Sequence, residues 1–205
     1  MSDIFVTHVV LGMVSTNCWF AVNRPLKKAV IVDPADNFIK IKNQCELLEI
    51  SPAAVLLTHG HFDHAMAAAE LENFYKIPVY AAEAEKELLS DAGMNGSRMI
   101  GKKLCFSASV WLNDGDVIEE AQIKLKTIAT AGHTAGSVCY FAENNGFVFT
   151  GDTLFYRGIG RTDLPTGNHA ALIESIKNKL FTLPNNTAVY PGHGPETTIS
   201  GEKNG

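Results

Sequence analysis

The chain has few cysteines, and they lie far apart. Cys18, Cys45, Cys105 and Cys139 are separated by 27, 60 and 34 residues, and no two of them form a C-x-x-C pair. That pattern excludes a cysteine zinc cluster and offers no disulfide framework; a chain of 205 residues can bury enough apolar surface to fold without one. Each cysteine has apolar neighbours and is expected as a small buried hydrophobe, in a reducing compartment such as the cytoplasm. Long apolar runs are also missing: none approaches the roughly 18 residues of a membrane span. The opening Met1-Ser2-Asp3-Ile4-Phe5 lacks the basic segment and small-residue cleavage site of a secretory signal. Positive charge is in deficit, with 17 Lys and Arg against 22 Asp and Glu, a net charge of -5 and no cationic stripe. Nucleic acid and membrane are therefore not expected as partners. Linkers, low-complexity segments and strict repeats are absent too, so one domain over 1–205 is expected. Oligomeric state leaves no mark on the sequence.

What is present is an alternation of strand and helix signals. Apolar, β-branched or aromatic runs at 4–11, 17–22 and 29–32 read as strands, punctuated by Gly12, Asn23-Arg24-Pro25 and Asp33-Pro34. Phe38, Ile41, Cys45 and Leu48 recur at helical spacing across 36–49. A strand at 55–58, a helix at 64–74, a strand at 77–82 and a helical stretch at 83–90 follow. The span 91–104, with Gly93, Gly96 and Gly101, reads as a mobile loop or short helix near the surface. The second half repeats the scheme. Strands are predicted at 123–130, 137–142 and 147–150, the last two joined by a hairpin at Glu143-Asn144-Asn145-Gly146. A helix carrying Leu172, Ile173, Ile176 and Leu180 follows a cap at Asn168, and a short strand at 189–190 runs into Pro191-Gly192-His193. Both halves pass from strands to helices, which predicts an α/β (α+β) chain of two packed sheets with helices outside.

The densest chemistry lies in Thr58-His59-Gly60-His61-Phe62-Asp63-His64, three histidines and a carboxylate within six residues, directly after the apolar run 53–57. Neutral imidazole nitrogens and carboxylate oxygens are the ligands that borderline divalent metals prefer, and no packing role needs so many side by side. Three later positions share a second pattern, each ending a strand beside glycine. They are His133 in Ala131-Gly132-His133-Thr134, Asp152 in Thr150-Gly151-Asp152-Thr153 and His193 in Pro191-Gly192-His193-Gly194. Glycine there permits tight turns and close backbone approach around a buried ion. Alone, each would read as a turn; with the first motif they complete a set of seven ligands, the number a bimetallic site uses.

These residues, in this order, resemble the metallo-β-lactamase fold superfamily, over nearly the whole chain from Val32-Asp33-Pro34 to His193. The resemblance implies a four-layer αββα sandwich with the site at the edge where loops of both sheets meet. It implies one metal ion held by His59, His61 and His133, a second held by Asp63, His64 and His193, and Asp152 bridging both. Zinc is the expected metal, with iron or manganese as alternatives. Class B β-lactamases typically carry cysteine where Asp152 stands. Gly158-Ile159-Gly160-Arg161-Thr162-Asp163-Leu164-Pro165 and the segment 191–198 instead resemble the small single-domain glyoxalase II-like (hydroxyacylglutathione hydrolase-type) branch. One departure is Ala135, where those relatives carry proline. Another is that only twelve residues follow His193, so the helical C-terminal domain with which larger glyoxalase II enzymes bind glutathione is expected to be missing.

The activity so implied is hydrolysis of an acyl thioester such as lactoylglutathione by a bridging metal hydroxide, with Asp63 and Asp152 as catalytic carboxylates. Asp33 is a candidate support for a ligand histidine, or a plain turn residue before Pro34. Arg161 and Asp163 read as a structural ion pair, with substrate contact by Arg161 as the alternative. Tyr140 and Tyr156 are candidates for the pocket lining, or for core packing. His8 and His169 read as surface residues. The rivals are a mononuclear-iron persulfide dioxygenase, which would use the positions of His59, His133 and Asp152, a lactonase, and a non-catalytic metal-binding protein. The last should have lost a ligand, and none is lost.

Overall fold

The computed structural model describes residues 3–203. The first sheet holds β1 (Ile4–Leu11), β2 (Thr16–Asn23), β3 (Lys28–Val32), β4 (Ser51–Leu56), β5 (Val79–Ala82) and β6 (Val110–Leu112), in that spatial order. β1 to β3 form an antiparallel meander; β3 to β6 are parallel, joined by helical crossovers. The crossovers contain α1 (Phe38–Leu47), α2 (Phe62–Ala65), α3 (Ala68–Tyr75) and α4 (Lys86–Ser90). The second sheet contains β7 (Val117–Glu120), β8 (Ile123–Ala129), β9 (Val138–Ala142) and β10 (Phe147–Gly151). A two-stranded ribbon of β11 (Leu154–Phe155) and β12 (Gly158–Ile159) follows, then α5 (His169–Asn178). β13 (Ala188–Pro191) and β14 (Thr197–Thr198) complete the second sheet in the order β14-β13-β10-β9-β8-β7, and α6 (Ile199–Lys203) follows.

The layering follows from the two-residue period of the strands. All of β2 is buried. Its Cys18, Phe20 and Val22 face Ile41 and Cys45 of α1 and Leu71 of α3, while Trp19 and Ala21 face Ile123 and Tyr140 of the other sheet. On the far side, Cys139 and Phe141 of β9 pack on Leu172 and Ile176 of α5. Three apolar cores, helix on sheet, sheet on sheet and sheet on helix, make the αββα sandwich. Among the described residues, no helix is long and apolar enough to cross a membrane.

Several elements differ from the sequence expectation. β4 begins at Ser51, because Ser51 and Pro52 pair with Lys28 and Ala29 before a register shift; Pro52, which lacks an N–H, sits at that irregularity. The helix expected at 64–74 is two helices, since the N–H of Ala67 donates to Pro34 O instead of continuing the helical ladder. The span 91–104 contains a 3-10 turn, Ser97–Ile100, and buries Asn95 and Ser97. Strands β6, β7, β11, β12 and β14 are too short for periodicity to show them. Cys18, Cys45 and Cys139 are buried, but Cys105 is exposed. It lies in a segment without regular structure where the neighbouring Leu104 turns inward instead.

Candidate metal centre

β8 and β10 both run antiparallel to β9, and β13 is parallel to β10, so all three point the same way and end at one edge. His133, Asp152 and His193 follow those ends. The loop after β4 brings the other four residues to the same edge. His59 leaves the strand, His61 stands at the N-terminal boundary of α2, and Asp63 and His64 occupy its first turn. The structure thus brings all seven positions together. Ligand atoms of His59, His61 and His133 lie within 4.8 Å of one another, as do those of Asp63, His64 and His193, and those of His59, His64 and Asp152. Asp152 spans the groups: Oδ1 is 3.3 Å from His64 Nε2, and Oδ2 is 3.7 Å from His133 Nε2 and 3.6 Å from His193 Nε2.

The outer nitrogens of four rings are fixed by groups outside the cluster, which turns each inner nitrogen toward its centre; there His133 Nε2 lies 2.9 Å from His61 Nδ1, and His64 Nε2 3.4 Å from His193 Nε2. His133 Nδ1 donates to Arg161 O at 2.8 Å and His193 Nδ1 to Ser15 O at 3.3 Å. His64 Nδ1 donates to Asp33 Oδ2 at 2.9 Å. The Thr58 hydroxyl gives its proton to Asp33 Oδ2 at 2.7 Å and so accepts from His59 Nδ1 at 3.1 Å. Asp33 therefore supports His64 directly and His59 through Thr58, and also accepts from the Thr58 N–H at 2.8 Å. Such partners fix the tautomer and aim the lone pair. The Nε2 atoms of His59 and His61 are buried with no hydrogen-bond partner. Buried nitrogens without partners are costly in a folded protein, and a cation satisfies them. The donor set fits divalent metal.

Charge is arranged to match. Burial holds His59, His61 and His133 neutral: it lowers the pKa of each, that of His61 to about 4. Burial also opposes the charged forms of His64 and His193. There the surrounding carboxylates outweigh it, chiefly Asp63 and Asp152 for His64, and both pKa values rise. Asp63 and Asp152 are conversely held ionised by their histidine neighbours against the cost of burial. Two glycines make room. A Cβ on Gly192 would run into Asp152 Oδ1 and the His64 ring, and one on Gly151, at φ +48°, would collide with the Thr58 hydroxyl.

One residue that the sequence reading passes over ties the two ligand loops together. Glu85, buried just before α4, accepts from Gly60 N at 2.6 Å through Oε2, and from Gly136 N and the Thr134 hydroxyl at 2.8 Å each through Oε1. Gly60 lies between His59 and His61, while Thr134 and Gly136 follow His133. Burial raises the Glu85 pKa, and these three donors work against that rise. A sequence signal existed: Glu85 lies three and four residues before Leu88 and Leu89, on the apolar side of a predicted helix.

The remaining expectations divide. Tyr140 does not line the pocket: it is fully buried between the sheets, and its hydroxyl donates to Leu57 O at 2.7 Å. It anchors the end of β4 rather than touching substrate. Tyr156 is exposed and lies outside the pocket. Arg161 does line the pocket, but its Nε and Nη2 each donate to Asp163 at 2.7 Å in an exposed bidentate pair. His8 and His169 are exposed and away from the site.

Comparison with known proteins agrees with this geometry. The family model of the metallo-β-lactamase superfamily matches residues 11–193. The chain is 40% identical to the probable metallo-hydrolase YqgX of Bacillus subtilis, over 94% of this chain and 92% of that one. It is 32% identical to the hydroxyacylglutathione hydrolase GloC of Haemophilus influenzae, over 86% and 85%. Among solved structures, it is similar to the BLEG-1 B3 metallo-β-lactamase, with a TM-score of 0.93, 36% identity and coverage of 98% and 97%. TTHA1623 in a di-iron-bound form matches with a TM-score of 0.84, 30% identity and coverage of 96% of each chain. From its fold, its clustered histidines and carboxylates and these matches, the chain belongs to the metallo-β-lactamase superfamily.

Proposed function

We propose that this chain is a dinuclear metal-dependent hydrolase of acyl thioesters, one ion held by His59, His61 and His133, the other by Asp63, His64 and His193, with Asp152 shared. The observation that carries it is the reach of Asp152 to histidines of both groups, 3.3 Å to His64 and 3.7 Å to His133. When bound, such a pair of cations supplies an activated water and polarises an acyl carbonyl. Zinc, iron and manganese all suit a mixed imidazole and carboxylate set, and the di-iron form of TTHA1623 supports iron as a candidate.

The chain's own residues supply the rest. Asp33, Thr58 and the Arg161 carbonyl hold the rings rigid, so the site needs little reorganisation as charge develops. Asp63 stays ionised at the mouth, where the Thr16 hydroxyl donates to its Oδ2 at 3.3 Å, and offers that carboxylate to the second ion together with His64 and His193. Apolar side chains surround the mouth, Phe62, Met94, Phe155 and Ile159 among them. The water oxygen forms the new C–O bond and the C–S bond breaks with its electron pair on sulfur; one of the water's protons ends on the departed thiolate and the other passes to solvent as the acid product ionises. A thiolate departs without a strong general acid, which suits a site lined, among the described residues, by no lysine or tyrosine. The name of GloC supports this chemistry.

A second reading, opening of a cyclic amide, is favoured by the B3 metallo-β-lactamase name of BLEG-1. Three assays on the metal-loaded protein separate the readings. Thiol release from lactoylglutathione or another acyl thioester, without oxygen uptake on glutathione persulfide, supports the thioesterase. Faster turnover of a chromogenic cephalosporin favours the lactam reading. Oxygen consumption would overturn both.

A further inference from the structure

Above the metal centre the pocket opens into a cavity of about 620 Å³ whose upper wall is apolar. Three separate segments build that wall. Met13 and Val14 come from the turn between β1 and β2, Met94 and Met99 from the span 91–104, and Phe155 and Ile159 from the β11–β12 ribbon. Met13 is 71% exposed and Met99 82% exposed. Apolar side chains grouped at one exposed mouth mark a ligand groove, and the flexible, polarisable methionine side chain suits an apolar ligand of variable shape. The charge on the wall is as informative. Among the described residues, Arg161 is the only lysine or arginine lining the cavity, and Asp163 already occupies it. A glutathione carrier would bring two carboxylates to a wall that, among the described residues, offers no unpaired lysine or arginine to meet them.

We infer that the natural acyl donor is a thioester with an uncharged, apolar acyl chain of medium length (roughly four to eight carbons), seated against Met13, Met94, Met99 and Phe155, on a thiol without clustered negative charge. The inference rests on the thioesterase reading for its chemistry, but the pocket can be tested apart from it.

The first measurement is kcat/KM on the metal-loaded protein for the acetyl, butanoyl, hexanoyl and octanoyl thioesters of the neutral thiol N-acetylcysteamine, with lactoylglutathione alongside. The expected result is a rise of about threefold for each added methylene until the wall is covered, with the longer chains ahead of lactoylglutathione. The double variant Met13→Ser with Met99→Ser changes two exposed side chains, so it should fold, and should pull the octanoyl-to-acetyl ratio down at least tenfold. A flat or falling series, lactoylglutathione ahead of every neutral thioester, or an unchanged ratio in the variant overturns the inference. Calorimetric binding of the matching S-alkyl thioethers, which cannot be hydrolysed, separates the two claims. Affinity that rises with chain length while no thioester is turned over upholds the apolar pocket and removes the thioesterase reading. Turnover without chain-length dependence in rate or binding does the reverse.

Discussion

The floor and the rim of the pocket are built on opposite principles. At the floor, the seven clustered side chains are mostly buried, outer ring nitrogens are pinned by Asp33, Thr58, Arg161 O and Ser15 O, and carboxylates and imidazoles balance one another. At the rim, Met13 and Met99 stand in solvent, and the Arg161 guanidinium is already paired with Asp163. A rigid polar floor fixes which bond is attacked, because preorganised donors cost nothing to reorient. A soft apolar rim selects by area and shape, at roughly 25 cal/mol per Å² covered. Changes at the floor should therefore abolish chemistry for every substrate, and changes at the rim should only re-rank substrates.

The sharpest way to break that contrast is to remove the shared carboxylate. Asp152→Ala is expected to lower kcat by about a thousandfold or more on all thioesters, seen by steady-state thiol release. Equal loss from a rim variant would erase the distinction. Next comes the brace between the loops. Glu85→Ala strands the Gly60 and Gly136 N–H groups and the Thr134 hydroxyl, and should destabilise the protein by about 3 kcal/mol or more in urea unfolding, while Glu85→Gln, which retains one acceptor, should cost less. Asp33→Asn loosens two rings at once; metal affinity should fall about 10- to 100-fold in competition with a chromogenic chelator, with the fold retained. The smallest effect is expected at the rim's charge. Arg161→Ala removes only a side chain engaged with Asp163, so kcat/KM on a neutral thioester should shift by less than about twofold; a large drop would show that Arg161 contacts substrate.

The same contrast explains what could be read without coordinates. The floor was readable because metal ligation restricts residue type severely. Three histidines and an aspartate in six residues have no packing explanation, and the glycines beside His133, Asp152 and His193 mark the close approaches seen at Gly151 and Gly192. The sheets were readable because strands such as β2 and β9 are buried on both faces and run as unbroken apolar segments. Glu85 is hard to read because an acid in register with Leu88 and Leu89 declares no partner; its meaning lies in two loops far away in sequence that fold against it. For Tyr140 the sequence leaves pocket and core both open, and the structure takes the core, since a strand's register decides which face a residue takes and a single tyrosine does not declare it. The rim was unreadable for a related reason. Met13, Met99 and Phe155 come from three unconnected segments, and only the fold sets them around one mouth.

The central claim, two cations sharing Asp152, is tested most directly by elemental analysis of the protein purified without added metal, beside the Asp152→Ala variant. The account predicts close to two equivalents of zinc, iron or manganese per chain in the parent and a fall toward one in the variant. One equivalent in both proteins would contradict it.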